Sequence, residues 1–452
     1  MLDVFYKRRL KHDLEIWVER GWVGSAGAAR ILEEISTGDG RSRLPMVLGG
    51  IGVVCIALAL AAFIAANWDG IPKYVKLAGI VAMILAAHGL AAWASNAGRK
   101  GVADLATAFA TLVFVGGMAL VGQIFHLPSD WAGGAFLVCL GGLAAAWITG
   151  SKASLIVAAV AAITWQVGRS DIGDVSMLGD LIGLVLLVAV FLHPVFHPNR
   201  LARWAALSLL LVTFGRWLMD TVDIFGNGDD TNFAIMILAA AGLSACLIQL
   251  GQVADLAVKW AGDVPRKSHG RWLMLMSMQD VGFAILSAIL ALVMVMQSDL
   301  DNIKLAGAMM SPPVAVTMLL ALTLCGLGLL LSFKTGKARS FFGAVLLALV
   351  AVILPVAMQN VILVSALVMA ALIGLSLIGT LYNNAFWTLC AYAGLTAVVL
   401  WLLQVTIGSL LGQSVFFLIA GVILLGMAFV VTRVLRRQNR HESRAGEGEV
   451  AS

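Results

Sequence analysis

Apolar residues in this chain run in blocks of about twenty, the length a helix needs to cross a hydrocarbon core of about 30 Å, and charges, Pro or Gly interrupt the blocks. Fourteen such spans are predicted. Seven fall near 46-66, 77-95, 103-125, 132-149, 153-168, 181-198 and 201-219, and seven more near 233-250, 281-297, 314-333, 341-358, 360-381, 385-403 and 415-435. In lipid every backbone polar group must be satisfied within its own segment, so runs of this length read as helices. The expected fold class is all-α: a polytopic transmembrane helix bundle of about 14 spans.

Between and around the spans little chain remains. In residues 1-36, Leu10, Leu14, Trp17 and Val18 recur at helical spacing, with Gly21 as a stop. Ser25 is the expected cap of a second helix with Ala28, Ile31, Leu32 and Ile35 on its apolar face. This predicts a short helical hairpin, followed by a linker at Thr37 to Arg43. In 251-280, Val253, Leu256, Ala257 and Trp260 form an amphipathic stripe expected to lie along the membrane interface. The tail after Arg436 is polar and reads as disordered. The expected division is a hairpin and linker over 1-45, a first transmembrane bundle over 46-219, a second over 220-435 and a tail over 436-452. No internal repeat is evident; an inverted relation between two sets of seven spans is a guess from their odd number.

Composition narrows the class further. Of 452 residues, 61% are hydrophobic and 12% are charged, about half the charged share of a soluble domain. That excludes nucleic-acid binders, disulfide scaffolds and soluble multi-domain enzymes. The net charge of +5 is explained by placement. With the N-terminus inside, 25 of the 30 Lys and Arg fall on the inner side, and only Lys73, Lys76, Arg169, Arg216 and Lys304 fall outside, as the positive-inside rule requires. Both termini are therefore expected in the cytoplasm. The connections near Gln359-Asn360, Asn383-Asn384 and Gly408-Gln413 carry no basic residue and leave this test blind to one hairpin. The five cysteines stand apart in apolar runs and read as packing residues, and no cleavable signal peptide is expected.

Candidate chemistry is sparse. None of the 25 Asp and Glu falls in the middle of a predicted span, which argues against carboxylate-based ion coupling. Asp104 and Asp180 stand at span edges. Asp280 is the exception to watch, because apolar Trp272-Met278 would extend the ninth span and bury it; the simpler reading is an acid at a helix start, favoured by the dipole. Asn67 and Trp68 at the end of the first span, and Gln123 and His126 at the end of the third, fall on the same outer face. They form a candidate ligand pocket for a neutral or amphiphilic molecule, although an aromatic belt, a turn and a cap by Ser129 or Asp130 account for the same residues. His126, Ser129 and Asp130 lie too close in sequence for a catalytic triad. His193 and His197 have the i, i+4 spacing of a metal pair without a third ligand, so a helix end broken by Pro194 and Pro198 is expected instead. His88, in mid-span, is a candidate intramembrane polar group. Gly49-Gly50-Gly52, Gly116-Gly117 and Gly141-Gly142 allow close helix approach, and Pro355 should kink its span. No catalytic residue, metal site or cofactor is assigned, since paired carboxylates and metal clusters are missing.

The stretch Gly21-Trp22-Val23-Gly24-Ser25 running into Ala29-Arg30-Ile31-Leu32, then Ala65-Ala66-Asn67-Trp68 and Gly122-Gln123-Ile124-Phe125-His126-Leu127, resembles the bacterial membrane family catalogued as domain of unknown function twenty-one fifty-seven, over roughly residues 1-170. Ser409-Leu410-Leu411, Gln413-Ser414 and Arg433 resemble a companion membrane domain, with Gln413 where Lys is expected. The resemblance implies a multi-spanning bacterial inner-membrane protein with a cytoplasmic N-terminal helical region, and no activity. Asn67, Trp68, Gln123 and His126 match the family's recurring motifs. The expected partners are the lipid bilayer and a lipid or small amphiphile, with no nucleic acid. The expected function is a transporter or flippase for a neutral or amphiphilic molecule, and the alternative is a membrane scaffold or sensor signalling through the N-terminal hairpin.

Overall fold

Some apolar blocks end at residues that close a helix. Asp130 caps the helix that starts at Trp131, its Oδ1 accepting from the Gly133 amide at 2.7 Å, and that helix stops at Gly150 with φ 67°. Ser151 then caps the next helix at once, accepting from Ser154 N at 3.3 Å. In the computed structural model the described residues are 10, 13-15, 17-38 and 72-406, except 127-129, 170-176, 226-228, 263-268, 297-304, 333-335 and 358-360, with scattered positions between 48 and 62. The predicted spans 46-66 (for the most part) and 415-435, the tail, and the connections at Gln359-Asn360 and Gly408-Gln413 lie outside them.

The helices are α1 (Ser25–Gly38), α2 (Lys73–Asn96), α3 (Lys100–Phe125), α4 (Trp131–Thr149), α5 (Lys152–Gly168), α6 (Met177–Phe196), α7 (Arg200–Phe225), α8 (Asp229–Trp260), α9 (Gly270–Val295), α10 (Leu305–Met310), α11 (Pro312–Leu331), α12 (Gly336–Ala357), α13 (Val361–Leu381) and α14 (Ala385–Thr406). Every predicted span within the described residues coincides with one of them. Among the described residues eleven are long and apolar enough to cross a membrane, and α5, with 17 residues, is a shorter apolar helix. The protein is an all-α polytopic membrane bundle, and no strand occurs among the described residues.

Two compact units divide the chain at Ser129 and Asp130. In the first, residues 17-19 are helical and turn at Gly21 (φ 72°), where Trp22 N donates to Trp17 O at 2.9 Å and Gly21 N to Val18 O at 3.0 Å. This is a Schellman closure, which satisfies the last carbonyls and uses the left-handed conformation glycine tolerates. The expected stop at Gly21 is in place. The expected cap shifts by one residue: α1 begins at Ser25, and Gly24 O accepts from the Gly27 and Ala28 amides. α2 and α3 pack closely, since a Cβ on Gly117 would stand 2.7 Å from Ile80 Cγ2.

In the second unit α4 to α7 share one apolar core, to which α8 and α9 add Leu247, Met274, Met278 and Val281. α8, α9 and α11 to α14 build the other core, joined by Leu218 and Val222 of α7 and Ala308 of α10. α8 is continuous from Asp229 to Trp260, which corrects the expected interfacial segment at 251-260. Val253 and Leu256 of its stripe are buried in the core instead of facing a membrane surface. α9 begins at Gly270, so its first three turns complete the ninth span.

α8 and α9 touch through glycine. A Cβ at Gly282 would lie 2.7 Å from Ser244 O and 2.8 Å from Ile248 Cγ1, and in lipid such close backbone approach supplies the packing that holds helices together. Gly282→Leu is expected to destabilise the detergent-solubilised protein by about 1-3 kcal/mol of overpacking, read as a lower melting temperature. Gly326→Ala, where a Cβ meets nothing within 4 Å, should leave it unchanged. Equal melting of the two variants would contradict the packing assignment.

Candidate functional site

α9 carries a polar pair, Gln279 and Asp280, with ten residues of helix ahead of Asp280. The expectation that no carboxylate lies inside a span is corrected here, as is the simpler reading of Asp280 as an acid at a helix start. The physical reason is the extension of α9 to Gly270 through apolar Trp272-Met278. Gln279 is buried against Gly251 of α8, where a Cβ would stand 2.7 Å from its Cδ, and its Nε2 donates to Ile248 O at 3.1 Å.

Asp280 is half-buried, and its partners come from more than one hundred residues downstream. Trp387 Nε1 donates to Asp280 Oδ1 at 2.8 Å, and the Asn384 side chain bonds the same carboxylate. Both partners are fixed by one tight connection. Asn383 adopts φ 53°, Asn384 N donates to Gly379 O at 2.9 Å, and Asn384 Oδ1 caps α14 by accepting from Phe386 N at 3.0 Å. A helix stop and a helix cap therefore share two asparagines, which explains how α13 and α14 join without a basic residue. Beneath the carboxylate, Phe283 stacks on Trp387 with centroids 4.3 Å apart, and Phe341 lies edge-on to Phe283 at 6.3 Å.

Tyr382 closes the same end of the bundle. Its hydroxyl accepts from Gln252 Nε2 at 2.9 Å, and Lys337 Nζ stands 4.6 Å from its ring centroid. Burial first, and the Asp255 carboxylate second, push the Tyr382 hydroxyl up to about 12, so it stays protonated at neutral pH. One turn from Gln252, Gln249 is fully buried in α8, and neither its Nε2 nor its Oε1 has a partner among the described residues. Ser287 of α9 and Ser376 of α13 are likewise buried with unpartnered hydroxyls. An amide left so costs about 1-3 kcal/mol per unmet group, which water or a ligand relieves. Chemically, the arrangement offers a carboxylate held by neutral donors, an aromatic wall and a spare amide.

Gln123 and His126 are exposed at the end of α3, where His126 (φ 50°, ψ 42°) terminates the helix. Asn67 and Trp68 lie outside the described residues. His88, half-buried in α2, donates from Nδ1 to Ile84 O at 3.0 Å. His193 is buried and donates from Nε2 to Ala146 O at 3.1 Å, with the His197 ring 4.8 Å away. The expected helix end is in place, since α6 ends at Phe196 ahead of Pro198, although the helix runs through Pro194 instead of breaking there. Among the described residues no three His, Cys, Asp or Glu side chains group as a metal site. Sequence reading missed Trp387 and Asn384 as partners of Asp280. Trp387 and Asn384 resemble ordinary interfacial residues, and no local signal marks a glutamine as unpartnered.

A family model described as predicted membrane protein (DUF2157) matches residues 15–155, within the N-terminal part that carries the resemblance. No curated protein and no solved structure matches the chain.

Proposed function

We propose that this membrane protein is transporter- or flippase-like and moves a neutral or amphiphilic molecule through the second unit. The observation that carries the reading is the buried, unpartnered amide of Gln249. A protein that only anchors or spans gains nothing from an unmet amide in its core, whereas a polar track needs groups that trade partners with a passing solute. Asp280, Trp387 and Tyr382 supply the mouth of such a track at one helix end. In this reading the protein sits in a bacterial inner membrane with both termini cytoplasmic, which puts that mouth on the inner side. Asn67, Trp68, Gln123 and His126 remain a proposed outer-face pocket of the first unit.

The test is reconstitution into liposomes containing fluorescently tagged phosphatidylethanolamine or phosphatidylcholine. An impermeant reductant bleaches only the outer leaflet, so protein-dependent loss of the protected half reports movement. Gln249→Leu should slow that loss about tenfold, equivalent to about 1.4 kcal/mol, with melting unchanged or raised. Protein-free and protein-containing vesicles that bleach alike would end the proposal. A separate observation favours the scaffold or sensor alternative: Trp22 is exposed at the tip of the N-terminal hairpin, beneath the Arg20 guanidinium 5.1 Å from its ring. Trp22→Ala should then abolish cross-linking to a partner while leaving lipid movement untouched.

A further inference from the structure

At the helix end opposite Asp280, α5, α6 and α7 bring together four charged side chains in an alternating row. Asp180 in the first turn of α6 pairs with Arg169 at 2.5 Å, Arg169 reaches Asp220 at 3.6 Å, and Asp220 pairs with Arg216 at 2.7 Å. The two inner members are closed in, with side chains 11% (Arg169) and 8% (Asp220) exposed. The outer members are the most open: Asp180 at 36% and Arg216 at 22%. Each has one partner in the row, and Arg216 Nε, like Arg169 Nε, is buried without a partner among the described residues. The row thus has an open anionic end and an open cationic end.

The deeper layer points to a ligand as well. Gln166, one turn below Arg169 and almost wholly buried, donates from Nε2 to Thr213 Oγ1 at 3.2 Å, and its Oε1 has no partner among the described residues. Gly183 makes the room, since a Cβ there would collide with the Gln166 amide. Trp165 forms a wall under the Arg169 guanidinium, 5.5 Å from its ring centroid. On either side of Asp180 along α6, Leu178, Leu181, Leu184, Val185 and Val188 form an exposed apolar strip.

We infer that this row binds a zwitterionic headgroup, an ammonium tethered to a phosphate, with the ammonium on Asp180, the phosphate on Arg216, and the acyl chains along α6. A simple anion would meet a row whose net charge is already zero and would gain only one open end. A zwitterion gains both, and a guanidinium is suited to phosphate. The inference deepens the transport reading by naming the amphiphile, but its test reads binding, whereas that reading stands on lipid movement. Failure of one is therefore distinguishable from failure of the other.

The test titrates the full-length protein in detergent with diheptanoyl phosphatidylethanolamine, diheptanoyl phosphatidylglycerol and free phosphoethanolamine, read by tryptophan fluorescence and by native mass spectrometry. The wild type is expected to bind the ethanolamine lipid about tenfold more tightly than the glycerol lipid, a gain of about 1.4 kcal/mol. Asp180→Asn should erase that preference with little effect on the glycerol lipid, and Arg216→Gln should weaken both. Arg216→Lys keeps the charge and should restore part of the binding, which guards against a folding defect in the glutamine variant. Phosphoethanolamine binding as tightly as the lipid would assign the site to a soluble zwitterion. Equal affinity for both lipids in wild type and Asp180→Asn, or no saturable binding, would overturn the proposal.

Discussion

Replacing Arg169 by Ala is expected to destabilise the purified protein by about 3 kcal/mol, the lower end of the range for removing one partner of a buried ion pair. The lower end applies because Asp180 is more than a third exposed and water screens it, while Asp220 keeps Arg216 at 2.7 Å. Most of the loss comes from leaving a carboxylate uncompensated, and only part from the lost contact with Trp165. Two further variants separate these effects. Arg169→Lys retains the charge without the planar fork and should lose less. The pair Arg169→Met with Asp180→Leu removes both charges and should recover most of the stability, since a buried pair replaced by apolar residues is often neutral. Thermal unfolding in one detergent measures all three. If the double replacement were as unstable as Arg169→Ala, packing around the guanidinium would outweigh its charge and the electrostatic account would fail.

Trp387→Ala is the second large effect. It empties the place of a buried indole stacked on Phe283 and removes the donor to Asp280. Large-to-small core changes at Trp cost about 3-5 kcal/mol in soluble proteins. In a bilayer the unfolded helices also face hydrocarbon, so the transfer part shrinks and packing is what remains. About 3 kcal/mol is expected. Trp387→Phe keeps the stack and loses only the hydrogen bond, and should cost about 1-2 kcal/mol because the Asn384 side chain still serves the carboxylate. Asp280→Asn in the Trp387→Ala background should regain stability, since a neutral amide tolerates the missing donor better than a carboxylate. Melting curves of the three variants decide it. Equal losses for Ala and Phe would show that the hydrogen bond, and not the stack, holds α14 against α9.

Part of the site is legible in the amino-acid sequence. Asp280 stands out there because apolar Trp272-Met278 precedes it, and α9 does continue to Gly270. Its partners are not legible, because a donor 107 positions away leaves no trace in local periodicity. The same holds for the charged row. Asp180, Arg169 and Arg216 are each visible as isolated charges near span ends, and an isolated charge there reads as interface or dipole complement. Only the packing of α5, α6 and α7 joins them. The short segment Asn383-Asn384 is a weak place for charge counting, which is silent where no charge exists; cap geometry defines that turn.

The amino-acid sequence by itself determined the class of molecule and the positions of its helices. Apolar runs of spanning length leave the backbone no stable option in lipid except helix, and capping residues such as Asp130 and Ser151 set where those helices begin. Tertiary structure decided which polar groups meet. Once helices are formed, their association depends on close-packed faces such as Gly251 and Gly282 between α8 and α9, and a few ångströms of approach determine whether a glutamine is bonded or left waiting for a partner. Helix formation follows from each segment alone, whereas a site follows from contacts between segments far apart in the chain.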